Sequence, residues 1–148
     1  MTTITYRDKV MASDSRAYTG GSTPIGWKQK IHRTKDGGLL GVSTTIPGLS
    51  EAFVAWAQKD FDPEFEPNVP DHPTLSALYV DPNGQVFYWG DSMLKVGPLQ
   101  AEYFAIGSGE HYALGAMAMG APAMIAVQVA KQFDVWTDGE IQNLSLEP

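Results

Sequence analysis

The tetrapeptide Asp81-Pro82-Asn83-Gly84 separates two apolar runs, Thr74–Val80 (TLSALYV) and Gln85–Gly90 (QVFYWG). Proline early in the turn and glycine at its end, between β-branched and aromatic residues, demand a tight antiparallel hairpin. The same grammar recurs twice. Arg7-Asp8-Lys9 joins the strand-like stretches Thr2–Tyr6 and Lys9–Asp14, and Lys35-Asp36-Gly37-Gly38 joins WKQKIHRT to LLGVSTT. Between hairpins come a helix over Leu49–Gln58, with Ser50 as its N-cap, and two consecutive helices over 110–133, the second opening near Pro122. Pro122 suits a helix start because the missing N–H has no partner there anyway. EYFAIGSG precedes the helix pair as a strand, and GEIQNLSL closes the chain as another. The predicted order is four strands, a helix, three strands, two helices and a strand. Hairpins grouped with helices exclude a doubly wound sheet and predict layered α+β, two antiparallel sheets with helices outside.

GGSTPIG (20–26) reads as a loop, and Lys59–Pro73, with four prolines and five acids, as a surface connection. The chain of 148 residues shows no repeat and no separating linker, so one domain over 1–148 is expected. A formal charge of −7 argues against nucleic acid, which needs a basic surface. The absence of cysteine removes thiolate chemistry and any disulfide framework. Arg7, Asp8 and Lys9 interrupt any apolar signal core, and glycines and Pro122 interrupt the apolar stretch 113–130, so neither a leader nor a membrane span is expected and the reading is cytoplasmic.

Thr2 and Thr3 follow Met1. A threonine hydroxyl is a weak nucleophile unless a base adjoins it. At a chain terminus its own α-amine, titrating near pH 8, can be that base. A lysine ammonium alongside lowers the amine and hydroxyl pKa values, and a carboxylate must then hold the lysine. Asp14 ends the second strand-like run and Lys30 lies in the third, so the set exists if Met1 is removed. Taken singly, each residue has a plainer reading. Asp14 suits a turn, Lys30 a solvated strand face, and Ser108 a helix N-cap before Glu110. Asp134 suits a helix end, and Thr137 the turn before Gly139.

TTITYRDKVMASDSRAY resembles the first hairpin of proteasome β-type subunits, closest to the peptidase ring of bacterial HslUV and its smaller relatives. The resemblance extends through KIHRTKDGGLLGV, FAIGSGEHYALGAM and AVQVAKQFDVWTDGEI. It implies the four-layer αββα sandwich of N-terminal-nucleophile hydrolases. By that resemblance Thr2 is the nucleophile and its freed amine the base. Asp14 and Lys30 are the supporting pair, Ser108 bonds near the amine, and Asp134 with Thr137 forms an Asp-x-x-Ser-like pair. It further implies a threonine peptidase that cleaves unfolded polypeptides without metal or organic cofactor. Such a subunit would work in a homo-oligomeric ring or related assembly, with an AAA+ ATPase unfoldase as a partner.

One departure stands out. Family members carry a glycine-rich turn after the fourth strand, where a backbone N–H stabilises the oxyanion, whereas this chain has Ser43-Thr44-Thr45. The oxyanion donor is placed at Thr44, since any residue but proline keeps its N–H, though β-branched residues resist a positive φ. Substrate preference is expected to depend on residues around Val42. An inactive, structural member of the family, phage-encoded ones included, and a small-molecule amidohydrolase are the rival readings. His32, His72 and His111 lack metal-ligand spacing. Met117, Met119 and Met124 read as helix-packing surface, and Trp27, Trp56, Trp89 and Trp136 as core or interface anchors.

Overall fold

Strands β6 (Leu39–Ser43) and β7 (Ser76–Val80) are apolar on both faces, and this places them at the centre of the molecule. Leu40, Val42, Ala77 and Tyr79 point one way, and Leu39, Leu78 and Val80 the other. Such a strand must be covered twice, so the sheet is an inner layer. The computed structural model describes residues 1–19, 22–71 and 73–147.

The first five strands are β1 (Thr3–Arg7), β2 (Val10–Ser13), β3 (Arg16–Tyr18), β4 (Pro24–Trp27) and β5 (Ile31–Arg33). After β6 come α1 (Leu49–Ala57) and a short 3₁₀ turn at Pro63–Phe65, then β7, β8 (Val86–Trp89), β9 (Lys95–Leu99) and β10 (Tyr103–Gly107). Helices α2 (Glu110–Ala118) and α3 (Ala123–Phe133) and strand β11 (Gln142–Ser145) finish the chain. One antiparallel sheet runs β10-β1-β2-β11 and a second runs β5-β6-β7-β8-β9, while β3 and β4 form a separate ribbon.

The two sheets meet through Ile4, Tyr6, Met11, Ile31, Leu78 and Ile106. On the far side of the five-stranded sheet, α1 buries Phe53 and Trp56 against Tyr79 and Trp89. Phe61 stacks on Trp89, with ring centroids 4.9 Å apart, and closes that layer. Helices α2 and α3 cover the other sheet through Ala113, Met117, Ala126 and Ala130, with Val127 on Ala12. The sandwich is therefore αββα, as expected. Small residues on both helices let them approach each other and the sheet closely.

Several local expectations are corrected. WKQKIHRT is not one strand. Trp27 ends β4, paired with Arg16, and the chain leaves the ladder at 28–30 before β5. Segment 20–26 is not simply a loop, because its second half is β4; Gly20 and Gly21 lie outside the described residues. Every residue of β4 is exposed, so it carries no burial alternation to read. Strand β9 was also missed, since it is a largely exposed edge containing Gly97 and Pro98. The cap of α1 is Gly48 at φ 84°, not Ser50, whose hydroxyl instead accepts from the Lys28 ammonium. Trp27, expected as a core or interface anchor, is 62% exposed and so lies outside the core.

Candidate active site

The first hairpin delivers Thr2 and Asp14 to the same end of the four-stranded sheet, because Ile4 pairs with Ser13 and the next residues on each side lie beyond the ladder. Asp14 is fully buried, and it survives there because three donors converge on it. Its Oδ1 accepts the Thr3 N–H at 3.1 Å. Its Oδ2 accepts the Asp138 N–H at 3.1 Å and the Lys30 ammonium at 3.0 Å. Lys30 is not within a strand as expected; it immediately precedes β5, and its side chain is 4% exposed. Its ammonium also donates to the Met1 carbonyl at 3.2 Å, the same oxygen that accepts from Thr2 Oγ1 at 2.7 Å. Lysine and threonine hydroxyl therefore face one point. Burial is the largest influence on both charges of the pair, pulling Lys30 below an ordinary lysine and pushing Asp14 above an ordinary carboxylate, while their mutual attraction opposes each shift.

A second polar chain reaches Thr2 from the helical layer. The Thr2 N–H donates to Ser108 Oγ at 3.0 Å, and Ser108 Oγ–H donates to Asp134 Oδ2 at 2.6 Å. Thr137 Oγ1–H donates to the same oxygen at 2.6 Å. A hydroxyl has one hydrogen. Thr137 has spent its own on Asp134, so the 2.7 Å contact between Thr137 Oγ1 and Thr3 Oγ1 has Thr3 as donor. One carboxylate thus orders Ser108, Thr137 and Thr3 together, beside the Thr2 nitrogen. Ser108 does not cap α2; Gly109 occupies that position without a side-chain bond.

Thr3, Gly107 and Gly109 belong to this arrangement and were not singled out from the sequence. Gly107 sits at φ 103°, and a Cβ there would lie 2.0 Å from the Thr2 carbonyl oxygen. A Cβ on Gly109 would lie 2.1 Å from Thr3 Oγ1. The Gly-Ser-Gly spacing was the available signal, since a serine between two glycines marks close backbone approach as well as a loop.

Beside Thr2 opens a cleft of about 230 Å³, walled by Tyr18 and Ile25 of the ribbon, by Val42, and by Thr44–Gly48 at the entry to α1. Thr44, the expected oxyanion donor, is one of the residues lining this cleft. None of Ser43, Thr44 and Thr45 has a positive φ, so the turn does not require the glycines expected there. The Thr44 hydroxyl bonds the Thr74 carbonyl and accepts the Ile46 N–H at 3.0 Å, which holds the turn instead. Lys28 lines the cleft wall, its ammonium 2.5 Å from Glu51 Oε1. His32 is half-buried in a neighbouring groove with Lys28 and Lys30, and burial lowers its pKa. His72 lies outside the described residues. Among the described residues, no group of His, Asp and Glu has metal-binding geometry.

A buried lysine–carboxylate pair thus faces Thr2 inside an αββα sandwich. The fold is the HslV-type fold of proteasome β subunits. Eukaryotic HslV from Trypanosoma brucei matches with a TM-score of 0.69 at 15% identity, over 98% of this chain and 99% of that one. The Thiobacillus denitrificans protein BPH in complex with epoxomicin matches with a TM-score of 0.64 at 18% identity, over 99% of both chains. The same protein without that compound gives 0.59 at 19%. No family model and no curated protein matches the chain.

Proposed function

We propose that this chain is an HslV-like threonine peptidase subunit whose nucleophile is Thr2, active once Met1 is removed. The carrying observation is the convergence on Thr2 of two independent polar chains, Lys30–Asp14 and Ser108–Asp134–Thr137, from segments up to 134 residues apart. While Met1 is attached, the Thr2 nitrogen is an amide and no base. Freed, it becomes an amine beside Ser108 Oγ and near the Lys30 ammonium. Lys30 disfavours a second positive charge, so the amine stays unprotonated near neutrality.

Thr2 Oγ1 attacks the substrate carbonyl and passes its proton to the amine. The scissile C–N bond then breaks, and the leaving nitrogen takes that proton. Water, activated by the same amine, hydrolyses the Thr2 ester and restores the hydroxyl. Asp14 positions Lys30, while Ser108, Asp134 and Thr137 position the amine. The Thr44 N–H serves as the oxyanion donor. No metal or organic cofactor enters these steps. Substrates are unfolded polypeptides held along the ribbon side of the cleft, in a cytoplasmic homo-oligomeric ring or related assembly fed by an AAA+ ATPase unfoldase.

Epoxyketones suit the test because they need both the threonine hydroxyl and its free amine. Met1-free protein treated with epoxomicin should gain one adduct mass at Thr2 and cleave casein. Thr2→Ala should do neither. A folded, Met1-free chain that takes no adduct refutes the reading and leaves the structural role. Hydrolysis of a small amide with casein untouched replaces the peptidase by an amidohydrolase.

A further inference from the structure

Two clefts meet at the start of the chain, and they differ in how their charges are balanced. The ribbon-side cleft carries Arg16, Lys28, Lys30 and Glu51 on its walls. Each has a partner within the chain: Arg16 pairs with Asp138 at 2.6 Å, Lys28 with Glu51 at 2.5 Å and Lys30 with Asp14 at 3.0 Å. A second cleft, of about 250 Å³, is lined by Ser43, Thr74, Asp91, Ser108 and Glu110 among others. Among the described residues its charged wall groups are two carboxylates, Asp91 and Glu110, and neither is in an ion pair.

Asp91 is anchored in this wall. Its Oδ1 accepts the Leu75 N–H at 2.7 Å. The adjoining Thr74 holds the Ser43–Thr45 turn, its carbonyl accepting the Thr44 hydroxyl and its own hydroxyl accepting the Thr45 N–H at 3.1 Å. Asp91 is thus tied through two residues to the turn that carries Thr44. Glu110 opens α2, where the positive end of the helix favours a negative charge.

The proton path decides which half of a substrate meets these acids. The leaving nitrogen takes its proton from the Thr2 amine, and the Thr2 nitrogen lies 3.0 Å from Ser108 Oγ. Ser108 lines the second cleft and not the first. The departing half therefore leaves over Ser108 into the second cleft, while the acyl half lies along the ribbon. Met1 touches both clefts, so its removal opens them into each other.

We propose that Asp91 and Glu110 select a basic side chain, lysine or arginine, at the residue immediately after the scissile bond. Two uncompensated negative charges beside the departing residue attract a cation and repel aspartate or glutamate. The ribbon-side charges are already paired, so they impose no comparable selection on the acyl half. This preference rests on the peptidase reading of Thr2 and deepens it by naming which bonds are cut.

Casein digested by Met1-free protein tests it, with product termini read by mass spectrometry and the Thr2→Ala digest subtracted. Lysine and arginine should head the new fragments about threefold more often than their share of casein, the scale of two solvent-screened charge pairs. Acidic residues should head them less often than their share. Asp91→Asn combined with Glu110→Gln should return both frequencies to casein's composition, and Asp91→Lys should enrich acidic residues instead. Glu102→Gln, just before β10 at the end away from Thr2, should keep the wild-type pattern. A purely structural loss lowers all cleavages alike, so the pattern and not the rate is the readout. Added salt should weaken the enrichment. New N-termini in casein's own proportions, or an enrichment that survives the double substitution or added salt, overturn the preference and leave the peptidase standing. Uncut casein overturns both, and an epoxomicin adduct on the same sample then separates an amidohydrolase from an inactive chain.

Discussion

Asp14→Asn removes the negative half of an ion pair whose side chains are 0% and 4% exposed. The amide has one acceptor oxygen where the carboxylate used two, so it cannot serve Thr3 N–H, Asp138 N–H and the Lys30 ammonium together. Its NH₂ must also face one of those donors. Breaking a buried pair from one side costs about 3–5 kcal/mol, chiefly because the remaining charge stays buried without compensation. In a chain of this size each kcal/mol moves Tm by about 2–4 °C, so the expected loss is about 6–20 °C. Adding Lys30→Met removes the stranded charge, so the double variant should be destabilised by much less than the two single losses combined. The pH dependence has a definite sign. Lys30 already lies below the ordinary lysine value of 10.5, and Asp14 is the leading influence holding it up. Without Asp14 the folded value falls further. Between that lowered value and 10.5 the unfolded chain binds the extra proton, so the variant gains stability as pH rises through this window. Scanning calorimetry and urea unfolding at several pH values measure both effects. A loss below about 1 kcal/mol, additive single losses, or a penalty that grows with pH would refute the assignment of Asp14 as the compensating charge.

Thr137→Val keeps shape but strands the fully buried Thr3 hydroxyl, so urea unfolding should show a loss of about 1–3 kcal/mol, whereas Thr3→Val with Thr137→Val should lose less than the two combined. Gly107→Ala drives a Cβ onto the Thr2 carbonyl from a φ of 103°; in Met1-free protein, epoxyketone labelling should slow by at least about tenfold, since a displacement near 1 Å suffices for that. Asp60 holds a φ of 56° just past α1, where glycine is favoured, so Asp60→Gly should raise stability by about 0.5–1 kcal/mol in thermal unfolding. An unchanged or lower Tm there would show that local strain is not what limits this corner.

How much of this was legible before folding depends on whether a signal is local. The hairpins at 7–9, 35–38 and 81–84 are written in turn residues and flanking apolar runs, so strands β1, β2, β6, β7 and β8 could be read directly. So could α1 and α3, because burial imposes its own period on the residues it covers. Helix α2 has no such period and was read from its run of small and apolar residues. Strands β4 and β9 could not be read, because exposed strands bury no regular face and leave no alternation. The Lys30 position was misjudged for the same reason: residues 28–30 leave the ladder while the composition continues unbroken.

The site divides along the same line. Residue types and order alone determined that Thr2, Asp14 and Lys30 could form a set, because the chemistry of an N-terminal threonine asks for those types. Ser108, Asp134 and Thr137 were added by the resemblance to proteasome β-type subunits. Tertiary structure alone decided how they connect: which oxygen of Asp14 takes Lys30, that Asp134 binds two hydroxyls on one oxygen, and that Thr3 completes the relay. It also decided why Gly107 and Gly109 must be glycine, through contacts with residues more than a hundred positions away. A turn or a helix is specified by neighbours along the chain. A hydrogen-bond network in a buried site is specified by whatever packing brings within about 3 Å, and no sequence interval encodes that distance.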